Sequence, residues 1–171
     1  KDSPVPQLSI SGANTLAAAD MAKTSTTVYT YLRTIGAGDG TATVAMATAQ
    51  DLAGNTVTAA PTSGATHTID NIAPSIVLST PQNPTNVSPF TVTAKFSESV
   101  TGVLIGDFVV VNGTTTGFVT VNATTFTVQV TQTANHITIN MPSSAATDAA
   151  GNPSTAATQL AVTYDNTNPS V

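Results

Sequence analysis

Between Phe90 and Phe96 the chain reads FTVTAKF, and its side chains alternate without a break. Phe90, Val92, Ala94 and Phe96 fall on one face, and Thr91, Thr93 and Lys95 on the other. A period of two is the mark of a β-strand with one buried and one wet face. From residue 72 to residue 166 the pattern predicts seven strands: PSIVLST, FTVTAKF, DFVVVNG, GFVTVN, TFTVQVT, HITINM and QLAVTYD. The third ends in Asn112-Gly113, a turn signal. In the last three, Phe126, Val128 and Val130, then Ile137, Ile139 and Met141, then Leu160, Val162 and Tyr164, point inward. Such strands build antiparallel two-sheet sandwiches. Burying each large apolar side chain contributes roughly 1.5–3 kcal/mol, so this set can hold a module without a disulfide.

The first part of the chain repeats the later part of the second. PQLSISG, TVYTYLRT, TATVAMAT and VTAAPTSGATHTID read as strands that match only the later ones of residues 72–166. Asp-x-Ala-Gly-Asn occurs at residues 51–55 and again at 148–152, and IDNIAPSI at 69–76 is echoed by YDNTNPSV at 164–171. Joint to joint, Asp70 to Asp165, is 95 residues, a usual length for a sandwich module. The expected organisation is therefore a partial or divergent module at 1–71, a complete one at 72–166, and at 167–171 the start of a linker to a following module. Counterparts of the first two strands are missing from the first module. The chain was cut inside that module, or another chain supplies the strands, or the module is compact and divergent. A sandwich short of a strand exposes an edge that invites strand donation.

Composition narrows the class to all-β. Thr accounts for 34 of 171 residues, while only 8% are charged, so the usual exposed helix formers are scarce. The net charge of −5 argues against nucleic acid as partner, which needs clustered cations, and is compatible with a divalent cation. No apolar run is long enough to insert in a membrane. The start, KDSPVPQ, lacks an apolar signal core and reads as mature protein or an excised fragment. The absence of Cys excludes a disulfide framework, and the Thr-, Ser- and Asn-rich surface leans extracellular.

TVTAKFSESVTGVLIGDFVVVNGT, FTVQVT, ATDAAGN and YDNTNPSV resemble the bacterial Ig-like (Big) repeats of long surface adhesins and other cell-wall-associated proteins. The likeness covers residues 72–171 well, 27–71 in part and the first 26 weakly. It implies tandem Ig-like β-sandwich modules, a bacterial cell-surface location and, in several adhesins, calcium between modules, and it does not imply a catalytic activity. The Cys pair and Trp of antibody domains are absent, so the likeness is one of architecture.

On such a sandwich the acids gather at one end. Glu98 and Asp107 belong to the loop between the second and third strands, Asp148 and Asn152 to the loop between the last two, and Asp70 and Asn71 to the joint. Calcium takes six to eight oxygen ligands in loose geometry, and a cation would offset the repulsion of converging carboxylates. The expectation is a calcium-clamped joint, stiff with the ion and flexible without it. Asp165, Asn166 and Asn168 would form a half-site for the next module. The competing reading is that these Asp and Asn residues only make turns, as Asp51, Asn55 and Asp39 would also do.

Other chemistry finds no foothold. His67 and His136 alternate outward with no second His or Cys at ligand spacing. No Ser sits in a nucleophile-elbow pattern, and no Gly-rich phosphate loop precedes a helix. Lys95 alternates outward, away from the buried setting an isopeptide bond needs. Asn86, Asn112 and Asn122 match the glycosylation triplet, which arises freely in a Thr-rich chain. The reading is a non-enzymatic spacer of an extracellular fibre or adhesin, partnered by neighbouring modules or copies of itself. The rival readings are a filament subunit completed by strand donation and a module whose loops bind a sugar or host protein.

Overall fold

The computed structural model describes residues 5–51, 53–56, 61 and 63–170. The chain divides into two compact units, Lys1–Asn71 and Ile72–Val171. The second carries strands β7 (Ile76–Ser79), β8 (Phe90–Phe96), β9 (Val109–Val111), β10 (Gly113–Asn122), β11 (Thr125–Gln132), β12 (His136–Asn140) and β13 (Leu160–Thr163). They form two antiparallel sheets, ordered β10-β11-β8-β7 and β13-β12-β9. Taken in chain order, this is the four-plus-three strand arrangement of a constant-type Ig sandwich.

Alternation explains the core. Phe90, Val92, Ala94 and Phe96 of β8 and Phe126, Val128 and Val130 of β11 are buried, while Lys95 between them is exposed. β8 and β11 pair from Thr125↔Lys95 to Val130↔Phe90, so their apolar faces stack in register. Ile137, Ile139, Met141 and Val162 close the core from the other sheet, with Leu160 and Tyr164 packed against it at partial burial. Phe126 meets Phe96 edge-on at 5.7 Å and stacks on Phe118 at 6.2 Å. Between β7 and β8 the chain runs beside β13, where the Thr85 amide donates to Thr163 O and the Asp165 amide to Thr85 O.

The turn signal at Asn112-Gly113 marks a change of sheet and not a hairpin. Asn112 takes φ +61°, and there the chain leaves one sheet and enters the other, β9 lying beside β12 and β10 beside β11. Its side-chain amide donates to His136 O, and its carbonyl accepts from the Thr133 amide. A left-handed residue turns the strand just as well between sheets as within one.

The first unit is one four-stranded sheet, β2-β1-β5-β6, and a two-stranded ribbon, β3-β4. Its strands are β1 (Gln7–Gly12), β2 (Leu16–Asp20), β3 (Ala22–Lys23), β4 (Tyr29–Thr30), β5 (Gly40–Thr48) and β6 (Thr66–Ile69). Of the strand expected in TVYTYLRT, only Tyr29–Thr30 forms. Of the stretch VTAAPTSGATHTID, residues 57–60 and 62 lie outside the described residues. His67 pairs with Ala42 and so shares the face of a buried residue, not the outward face alternation assigned to it; it is exposed all the same. Among the described residues of this unit, Leu8, Ala42, Ala49 and Pro6 are buried apolar side chains, against eighteen in the core cluster of the second. The described part of the first unit therefore rests on a thin core.

Candidate metal centre

Three hydrogen-bonded ties draw distant loops of the second unit together. The Ser97 amide donates to Ser75 O and the Ser75 amide to Ser97 Oγ, which binds the end of β8 to the segment leading into β7. Thr101 and Thr147 exchange backbone bonds of 2.8 and 3.0 Å, which ties the β8–β9 loop to the β12–β13 loop. The Thr155 amide donates to Pro74 O at 2.9 Å and closes the ring. Polar backbone at a sandwich end must find partners, and here each loop finds them on another loop.

Glu98 stands beside the first tie, Asp148 beside the second, and Asp70 four residues before the third. Each offers a carboxylate oxygen, and the three oxygens lie within 4.8 Å of one another. Asp70 and Glu98 are half-buried and Asp148 is buried. Three like charges this close, partly withdrawn from water, repel one another unless a cation intervenes.

The Asp148 carboxylate is held from behind. Its Oδ1 accepts from the backbone amides of Ala150 and Asn152, both at 2.8 Å, and its Oδ2 accepts from the Asn152 side-chain amide at 2.8 Å. Burial pushes its pKa up, but the Asn152 side chain and the amides of Asn152, Gly151 and Ala150 outweigh it and hold the carboxyl below the usual range. The group is thus an oriented anion. Gly151, at φ +94°, supplies the left-handed turn.

The loop at residues 51–55 repeats the arrangement bond for bond. Asp51 Oδ1 accepts from the amides of Ala53 and Asn55, and its Oδ2 from the Asn55 side chain. The turn-making reading of Asp-x-Ala-Gly-Asn is therefore what the structure displays in both units. In the second the same aspartate also stands in the carboxylate group.

Other expected members are placed elsewhere. Asp107 does not join the three carboxylates: its Oδ2 accepts from the Leu104 amide at 2.7 Å and caps the short 3-10 turn Ile105–Asp107. A carboxylate with unpaired backbone donors close by in sequence is captured locally first. Asn71 is exposed, and its backbone amide donates to Asp39 Oδ1 at 2.6 Å. Asp39, expected only to make a turn, thus also accepts from the last backbone amide of the first unit. Asn152 contributes through Asp148. Asp165 accepts from the amide and hydroxyl of Thr167, bonds that lower its pKa; Asn166 and Asn168 beside it are exposed. The Thr101–Thr147 and Ser75–Ser97 ties leave no signal in the sequence, because their residues sit in loops where no periodicity applies.

The ligand set is all oxygen, which suits a hard cation such as calcium and gives a soft metal no thiolate or imidazole. Three carboxylates supply three to six of the oxygens calcium takes, so the residues fit the ion.

No curated protein and no solved structure matches the chain. The sequence pattern of the bacterial Ig-like domain matches residues 70–164. The match begins at Asp70 itself, so all three carboxylates fall within one domain of that family. With more than half its length matched and the four-plus-three sandwich in place, the chain belongs to the bacterial Ig-like domain family.

Proposed function

We propose that the chain is a non-enzymatic spacer of an extracellular bacterial surface protein, and that it binds calcium through Asp70, Glu98 and Asp148. Modules of this family are typically non-enzymatic and usually belong to extracellular surface proteins. The observation that carries the cation reading is the gathering of three carboxylates from three separated stretches of sequence within 4.8 Å. Calcium would fasten the segment that leads into β7 to the two loops flanking it. A module fixed at its end adds length, a seven-residue strand spanning roughly 23 Å. Asp165 holds the place after β13 that Asp70 holds after β6, so a following module would be served in the same way, with Asn166 and Asn168 beside it.

The groove along the β7–β8 connection is small for a sugar site. The groove lined by Thr80, Gln82, Thr85, Val87, Pro89 and Phe90 holds about 160 Å³. Sites that enclose a drug-sized ligand span roughly 300–1,000 Å³.

Two measurements test the proposal. Immunogold labelling of intact producing cells marks their exterior; label that appears only after lysis overturns the location. Calorimetric titration of the chain with calcium shows saturable binding, which Glu98→Gln weakens by about tenfold or more, a loss of roughly 1.4 kcal/mol. Absence of binding by the unaltered chain overturns the metal reading.

A further inference from the structure

We propose that Asn122 is a glycosylation site, its side-chain nitrogen accepting a sugar from a diphosphate-activated donor. The triplet Asn-x-Ser/Thr occurs at Asn86, Asn112 and Asn122. The three look alike in sequence and differ in the fold. The Asn112 side-chain amide donates to His136 O at 2.8 Å, and the rest of its triplet, Gly113 and Thr114, is paired in β10 with Gln132 and Thr131. Its nitrogen is already committed. Asn86 is exposed, but among the described residues no hydrogen bond joins Ser88 to it. Pro89 follows that serine directly and stiffens the chain there.

At Asn122 the triplet is assembled for transfer. β10 ends at Asn122 and β11 begins at Thr125, so Ala123-Thr124 is the two-residue turn between them. Asn122 and Ala123 are exposed. Asn122 Oδ1 accepts from the amide and from the hydroxyl of Thr124, each at 2.9 Å. Its nitrogen donates to no group among the described residues. The turn itself is anchored: Ala123 O accepts from the Val100 amide at 2.9 Å and Thr124 O from the Phe96 amide at 2.8 Å. An amide nitrogen is a weak nucleophile because resonance draws its lone pair into the carbonyl. The Thr124 hydroxyl stabilises the charge that gathers on Oδ1 as a proton leaves the nitrogen. Nδ2 then bonds to the anomeric carbon, and the bond from that carbon to the diphosphate oxygen breaks. The diphosphate departs with the bonding pair, and the proton passes to a base of the transferase.

The strand that ends at Asn122 also has a use for a sugar. β10 is the outer strand of its sheet, and Val119 and Val121 on it are 52% and 57% exposed. An open edge with exposed aliphatic side chains invites pairing with another chain, and proteins blunt such edges. A sugar on asparagine is bulky and solubilising, and at Asn122 it stands at the end of that edge. The triplet and the apolar edge are independent features that meet on one strand.

Incubating the folded full chain with UDP-glucose and a soluble bacterial transferase specific for Asn-x-Ser/Thr tests this, with intact mass and fragment mapping as the readout. The peptide FVTVNATTFTV, residues 118–128, serves as the positive control for the enzyme. The expected result is a gain of one hexose on the chain, mapped to Asn122. Asn122→Gln abolishes the gain, whereas Thr124→Ser, which keeps the hydroxyl, retains it. The same mapping on protein recovered from producing cells finds a sugar on Asn122. No transfer to the folded chain, transfer that favours Asn86 or Asn112, or a bare Asn122 in the protein from producing cells overturns the proposal.

Discussion

Asp51 and Asp148 occupy the same five-residue loop with the same three bonds on their carboxylates. Both have pKa values below the usual range: Asp51 through the Asn55 side chain first, Asp148 because its hydrogen bonds outweigh burial. A carboxyl with a lowered folded pKa binds more protons unfolded than folded as pH falls through about 4, so its contribution is present above that value and is lost below it. Thermal unfolding followed by circular dichroism should give a melting temperature steady from about pH 7 to 5 and falling below about pH 4. With calcium present, Asp148→Asn should melt lower at pH 7 and show a shallower acid decline, since one titrating group is gone. Gly12, at φ +80°, sits where an added Cβ would collide with Thr41 O. Gly12→Ala should therefore destabilise the first unit by more than about 1 kcal/mol, read from chemical denaturation.

At the scale of elements, the β8–β11 pair is the centre of the second unit. Phe126 is buried there and touches both Phe96 and Phe118. Phe126→Ala should cost about 3–5 kcal/mol in urea unfolding. Strands that alternate over seven residues, such as FTVTAKF, were legible because a period of two leaves one arrangement of faces. TVYTYLRT has comparable propensity and forms two residues of strand, because a strand needs a partner as well as a pattern. Asn112-Gly113 teaches a related lesson: the left-handed turn was readable, but whether it folds a hairpin or moves the chain between sheets depends on the neighbours of β9 and β10.

At the scale of the whole molecule, the large core cluster belongs entirely to the second unit. Denaturation should therefore proceed in two steps, the first unit at lower urea. Leu8→Ala should shift only the early step, and Ile139→Ala only the late one, by about 2–5 kcal/mol. Coincident transitions by circular dichroism and tyrosine fluorescence would contradict this division.

The sequence alone determined the all-β class, the seven strands of the second unit, their inward residues and the family likeness. Those properties are written in side-chain alternation and in a repeated phrase, both local in the chain. Tertiary structure decided which acids meet. Asp70, Glu98 and Asp148 are brought together by backbone bonds between loops, whereas Asp107, close to Glu98 in sequence, turns back to cap its own 3-10 turn. Distances between loops depend on how two sheets stack, and no periodicity within a loop encodes that stacking.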